Sequence, residues 1–408
     1  MSGTAVRGPA LFDPTDPAVA DDPYPSYARL RREAPVLHLP AADVWAVSRH
    51  ADVAAVLRDP ATFSSKVGMS PDFGGRKVIP DAGVRYRIGA PDVRVLIATD
   101  PPEHQVFRRA VARAFSPSAV AALTPRVTRI ARDRVRRLLA YDGPVDFFAE
   151  VAEPVPALVL AEMLGVPAEM QHEFRQWSAV ITADLSQAGS GADGIGRGMD
   201  MFRFFGRRLR HGTPHDPPDL FDAIAAGRRA GITDQEVLAF CAFLLVAGIE
   251  TTTSLATNLL HALIGRPELA DRLRRHPELV PAAVEEGIRY DTSVQALWRG
   301  TTREVTLRGQ RIPAGARVLV LFGSANRDEA VFPDPDTFRL DRHPNDHLGF
   351  GGGVHYCLGA RLARLELTAV FTELLAATRA IEAAGPGRRT GSLVLRGFTH
   401  QPVRAVPR

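Results

Sequence analysis

Apolar residues recur every three to four positions over several long stretches, the spacing of helices that bury one face. Residues 23–34 and 51–58 predict short helices. Residues 120–139 predict a long arginine-studded one, and 153–165 another, ended by Gly165-Val-Pro167. Residues 170–210 predict a helix broken near 187–196. A further helix is predicted over 233–264, opened by Thr233-Asp-Gln-Glu236 and closed by Gly265-Arg-Pro267. Its opening is a capping box, in which Thr and Glu satisfy each other's free backbone groups. At ~1.5 Å per residue this helix runs ~45 Å. Residues 240–247 are apolar on every face, so the segment needs a shell of other helices around it. Residues 360–376, rich in Ala, Leu and Arg, predict the last helix. Strand-like alternation is short: 44–48, 305–307 and 317–321, with Pro313-Ala-Gly315 turning between the last two. Residues 1–22, polar with Pro and Asp throughout, predict an extended N-terminal arm. Between 63 and 97 the helical period breaks down and Gly, Pro, Ser, Asp and Arg accumulate, as in lids or disordered insertions.

Composition adds boundaries to this picture. The chain has 408 residues, 45% hydrophobic and 24% charged, the balance of a globular protein with a large core. Net charge is +4 and nearly all the basicity is arginine, since Lys66 and Lys77 are the only lysines. No basic run interleaved with aromatics and no zinc-finger pattern occurs, which argues against nucleic acid. Two cysteines, Cys241 and Cys357, cannot build a disulfide framework or a four-cysteine zinc site. No apolar signal segment opens the chain, and the most apolar run, 240–249, is short for a bilayer. The expectation is a cytoplasmic protein with no membrane partner.

The chemistry concentrates in Phe350-Gly-Gly-Gly-Val-His-Tyr-Cys-Leu-Gly359, just ahead of the last predicted helix. Glycines let the backbone pass close to a flat ligand. A helix N-terminus offers free N–H groups and a positive dipole end, which favour thiolate over thiol. One thiolate under such a loop suits the axial ligand of haem iron. A buried structural cysteine beside a Gly-rich turn fits the same letters. His104 and Arg108 are four apart on one helix face, a repelling pair unless an anion such as a haem propionate lies between them; a solvated basic surface is the other reading. In the long helix, Ala247-Gly-Ile-Glu-Thr-Thr-Thr253 is poor helix sequence. A buried acid there is costly unless paired or proton-active. A threonine can bond back to the preceding turn and bend the helix. Glu286 and Arg289 form an ordinary three-apart pair.

The 350–359 stretch resembles the haem-binding signature of the cytochrome P-450 (haem–thiolate monooxygenase) superfamily, Phe-Gly-x-Gly-x-His-x-Cys-x-Gly, at Phe350, Gly351, Gly353, His355, Cys357 and Gly359. Other motifs of that family follow in order: His104-x-x-x-Arg108, Ala247-Gly248-x-Glu250-Thr251, Glu286-x-x-Arg289 with Arg342, and Arg299. The resemblance covers residues 23–408 as one domain. It implies a mainly α fold with a small β region, a single-domain triangular prism holding haem b (iron protoporphyrin IX) between the long central helix and the cysteine loop.

It further implies that Cys357 ligates iron, that His104, Arg108, Arg299 and His355 hold the propionates, and that Glu250 and Thr251 relay protons to dioxygen. Thr252 is an alternative to Thr251. Phe350, Gly351, Gly359, Ala247 and Gly248 are expected against the cofactor. Glu286, Arg289 and Arg342 are expected as scaffold. The implied activity inserts one oxygen atom of O2 into an apolar small molecule, by hydroxylation or epoxidation, in secondary metabolism. Electrons would come to a monomeric enzyme from a separate ferredoxin and reductase, with Arg109, Arg113, Arg361 and Arg364 as docking charges. The roof of the substrate pocket is expected in 63–97 and near 187–196. Its walls are expected near Val246, Val294 to Leu297 and a loop at Gly397-Phe-Thr-His400. Oxidative coupling or peroxygenation by the same centre is an alternative. A non-haem metal site from His343, His347, His355 and Cys357 is another, although Pro344 and the glycines forbid a continuous helix there. A haem sensor or electron carrier is a third, which the Glu250-Thr251 pair argues against.

Overall fold

A computed structural model describes residues 11–66, 72–73, 76–77, 93–177 and 192–408. The fold is organised around the predicted long helix. Its N-terminus is the capping box: Thr233 Oγ1 accepts from Glu236 N–H at 3.2 Å, and the Glu236 carboxylate accepts from Thr233 N–H at 2.8 Å. The helix runs Asp234–Leu245, widens to a π turn at Val246–Glu250, and continues as Thr251–Ile264. The widening falls on the weak Gly-then-Thr sequence. Thr251 Oγ1 donates to Ala247 O at 2.6 Å, a bond that competes with the regular ladder. This is also the one described helix long and apolar enough to cross a membrane, and most of it is buried. The shell around it is formed by Phe148–Ala152, Pro154–Met163, Val280–Tyr290 and Ala360–Ala377.

The β region is small. A five-stranded sheet has the order Val36–Leu39, Val44–Val47, Arg317–Leu321, Ala296–Thr301, Phe63–Ser64. Only the second and third strands run parallel, with Val318 opposite Trp45. Val318 also faces Arg299 across the antiparallel neighbour, which fixes where Arg299 points its side chain. Val305–Leu307 and Arg317–Leu321 are both strands, and the first pairs with Gln310–Ile312, a strand the alternation did not single out. Arg308 and Gly309, both at positive φ (49° and 76°), close that hairpin before Pro313 is reached.

Two expectations change. Within the predicted extended arm, Pro17–Asp21 is a short helix capped by Asp16, and Phe12 and Val19 are buried against Tyr27 and Leu30. The break foreseen near 187–196 is partly filled, because a helix spans Ala192–His211; residues 187–191 lie outside the described residues. Most of the foreseen 63–97 roof lies outside them too.

Candidate active site

Cys357 follows the tight turn Gly353–His355 and precedes the helix Ala360–Ala377. Its N–H donates to Phe350 O at 2.9 Å, which closes the loop. Gly351 and Gly353 sit at φ of 69° and 61°. At Gly353 a Cβ would stand 2.2 Å from Leu57 O, so no side chain fits.

The loop and the long helix face each other across a cavity. Ala247, Gly248, Thr251, Thr252 and Leu255 form one wall; Phe350, Gly351, His355, Cys357 and Gly359 form the other. Its empty space, including the mouth that opens to solvent, is about 1420 Å³. The lining is mostly apolar, with Leu96, Ile97, Phe243, Leu244, Val294 and Leu297 among it.

The polar lining of the cavity includes a group of bases. His104, Arg108, Arg299 and His355 all line the cavity. The rings of His104 and His355 are 4.3 Å apart. Both ring nitrogens of His104 are buried with no partner. His355 Nε2 lies 3.0 Å from Ser65 Oγ. Arg108 donates to Tyr356 O at 2.6 Å, and Arg299, 6% exposed, donates to Trp298 O at 2.7 Å. Burial pushes the pKa of Arg299 down to about 10. Burial, then Arg299 and His104, push His355 down to about 3. Burial and Arg108 likewise lower His104. The acid facing this group is Asp100, whose carboxylate is already held by Ser64 Oγ at 2.5 Å and Ser65 N–H at 2.8 Å. Two guanidiniums and two unprotonated imidazoles around a cavity lack an anion. The two carboxylates of a haem would supply it, beside a sulfur that can ligate iron. The donor set therefore fits that group.

Eleven of the twelve sequence-predicted site residues line this one cavity. Glu250 does not. Its Oε2 is buried with no partner, and burial pushes its pKa up to about 8. A residue one position earlier than Thr251 points about 100° around the helix, which turns this carboxyl away from the wall. Burial raises the pKa of Cys357, while the N–H groups of Gly359 and Ala360 at the helix start and the charges of Arg108 and Arg364 lower it.

Of the predicted pocket walls, Val294 and Leu297 are present and Val246 is buried outside the lining. Phe398 belongs to a strand paired with Arg388–Arg389 and lies under the Arg389 guanidinium at 4.1 Å. Glu366 was not foreseen: it is buried, lines the cavity, and burial pushes it up to about 8. An acid within the apolar stripe of residues 360–377 was the available signal. The scaffold residues meet as expected. Arg289 donates to Glu286 at 2.7 and 2.8 Å, and Arg342 Nε lies 3.1 Å from both Glu286 oxygens. The histidine cluster does not form, since His347 pairs with Glu285. Among the described residues one group of three could hold a metal, His215, Asp219 and Asp222, and the Arg208 guanidinium already sits between them.

Comparison with known proteins agrees with this geometry. Residues 203–380 match the family described as Cytochrome P450. A β-dihydromenaquinone-9 omega-hydroxylase of Mycobacterium tuberculosis is 34% identical over 97% of this chain and 79% of its own length. The structure of cytochrome P450 CYP109Q5 from Chondromyces apiculatus superposes with a TM-score of 0.84 at 35% identity, covering 97% of this chain and 98% of that one. CYP109E1 from Bacillus megaterium, solved in complex with testosterone, gives 0.80 at 29% identity, over 95% and 99% of the two chains.

Proposed function

The chain belongs to the cytochrome P450 family, and on that premise we propose that it inserts one oxygen atom of O2 into an apolar small molecule of steroid or isoprenoid size. Members of the family are oxidoreductases that bind haem b through a cysteine thiolate; when bound, that group supplies the activation of dioxygen. The observation that carries the reading is the convergence of Cys357 with four basic side chains, one with both ring nitrogens buried and unpartnered, on a single apolar cavity.

In this reading Cys357 Sγ is the iron ligand and closes the cavity from below. His104, Arg108, Arg299 and His355 hold the propionates, whose charge relieves the crowding of bases. Ala247 and Gly248 keep the long helix slim on the wall of the cavity, which would leave space for a flat group beside it. The Thr251 hydroxyl, on the wall, holds a proton-bearing group at the reacting face. Its hydrogen is turned to Ala247 O, so its lone pairs are free to accept. Glu250 stores a proton beside it and must rotate to hand it over. The apolar walls at Leu96, Ile97, Phe243, Leu244, Val294 and Leu297 desolvate the substrate and exclude bulk water. A quinone-hydroxylating relative and a neighbour with bound testosterone agree with that size and polarity. Electrons come from a ferredoxin and its reductase, for which the exposed Arg109, Arg113 and Arg361 supply opposite charge near the cysteine loop.

The test is spectral. Reduced, haem-loaded protein should show the carbon-monoxide band that names the family, and Cys357→His should abolish it. Steroids and isoprenoid quinones, titrated into the oxidised protein, should give a saturable substrate-type difference spectrum. An unchanged band in the Cys357 variant refutes the ligand; no response to either compound class refutes the substrate reading.

A further inference from the structure

One charged cluster behind the cysteine loop has no part in the roles above. Arg364, on the helix Ala360–Ala377, was expected as a free docking charge. Its guanidinium is instead engaged by three neighbours. Nε and Nη2 both donate to the Glu285 carboxylate, the latter at 2.9 Å. Nη1 lies 3.3 Å from the Tyr356 hydroxyl. The flat face rests 4.5 Å from the centre of the Phe350 ring. His347 takes the other side of Glu285, its Nε2 3.1 Å from Oε2. Gly349 N–H donates to His347 Nδ1 at 3.3 Å, so the ring carries its proton on Nε2, aimed at Glu285.

Three elements meet in this cluster: the helix Val280–Tyr290, the segment 347–350, and the helix that follows Cys357. Phe350 is the hinge between cluster and site, because its carbonyl accepts the Cys357 N–H. The fork-on-carboxylate geometry is directional and strong for its size. Yet both side chains are about one-third exposed, Arg364 32% and Glu285 33%, so the pair contributes little to global stability. What it does offer is a fixed field: the cation touches the loop through Phe350 and Tyr356, and the anion stands behind the cation.

We infer that Glu285 and Arg364, steadied by His347 and seated on Phe350, are positioning residues that set both the field at Cys357 and the register of its loop. The inference rests on the haem–thiolate reading above. Reduction of iron adds negative charge, so a nearby cation favours the reduced state and a nearby anion opposes it. Removing Glu285 leaves Arg364 uncompensated; removing Arg364 leaves Glu285 uncompensated. The two losses must act with opposite sign.

The experiment is redox titration of haem-loaded protein as Glu285→Gln, Arg364→Met, Arg364→Lys and the Glu285→Gln/Arg364→Met double variant, with the carbon-monoxide band recorded for each. Glu285→Gln should raise the reduction potential and Arg364→Met should lower it. The double variant should return towards the parent value, and Arg364→Lys should lie near it. Arg364→Met and Arg364→Lys should both lose the thiolate band several-fold faster on warming, since neither keeps the flat stack on Phe350. A merely structural pair would shift both single variants the same way, and that outcome, or unchanged potentials, overturns the inference. If Arg364→Met takes up no haem, Glu285→Gln and Arg364→Lys decide it alone. A parent protein without the thiolate band would overturn the haem–thiolate reading itself, whereas a normal parent band with unmoved variants overturns only this inference.

Discussion

Glu250→Gln is the substitution that best tests the reasoning about the long helix. The residue keeps partial exposure, but its Oε2 has none and no hydrogen-bond partner, and burial is the sole cause that moves its pKa from 4.5 to about 8. A carboxyl with that value stays protonated at neutral pH. Because the folded state holds the proton more tightly than the unfolded chain, stability is fully present below about pH 4.5 and declines as pH rises towards 8. At about 1.4 kcal/mol per pH step, the decline due to this one group reaches about 3 kcal/mol at pH 7. Glutamine has the shape of the protonated acid and no charge to lose. The variant should therefore match the parent near pH 4.5 and exceed it by about 3 kcal/mol at pH 7. Glu366, pushed up to about 8 by the same burial, keeps its own slope in both proteins. The assay is urea unfolding of parent and variant at several pH values between 4.5 and 8, with the midpoint and slope read at each. Two stability curves that run parallel over this window would refute the claim that Glu250 is a buried, protonated acid, and with it the proton-storing role.

Three further outcomes follow from the geometry. Glu286→Gln leaves the buried guanidiniums of Arg289 and Arg342 facing a neutral group; the expected cost is about 3–5 kcal/mol in urea unfolding, and a loss under ~1 kcal/mol would mean the network is dispensable. Gly353→Ala must place a Cβ 2.2 Å from Leu57 O at a φ of 61°, so haem should pass to an acceptor protein many-fold faster than from the parent, while the same change at the unhindered Gly309 leaves the transfer rate unaltered. Thr251→Ala should keep haem and substrate binding but divert reducing equivalents to hydrogen peroxide; parental product yield per electron would remove Thr251 from the relay.

Sequence legibility followed distance along the chain. The capping box at Thr233 and Glu236, the apolar stripe of the long helix, the break at Gly248 to Thr251 and the glycine loop before Cys357 are all written within a few residues of themselves. Helical period, end-capping and positive φ are local properties, so residue order alone determined them, and with them the mainly α architecture. The absence of Glu250 from the wall was not legible, because packing decides which face of the helix meets the cavity and neighbouring residues differ by about 100° around it. The strand partner of Val305–Leu307 was missed because Arg308 in the left-handed region is no ordinary turn signal.

Contacts between residues 35 to 290 positions apart were decided only by the tertiary structure. Ser65 reaches His355, Arg364 reaches Glu285, and Asp100 is held by Ser64 and Ser65 beneath the same bases. Nothing in the neighbourhood of any of these residues names its partner, because an arginine on a helix face reads the same whether it meets solvent or a carboxylate. Burial has the same character. The helix-end donors beside Cys357 are legible in the sequence, but the desolvation that opposes them depends on what the rest of the chain brings around the sulfur.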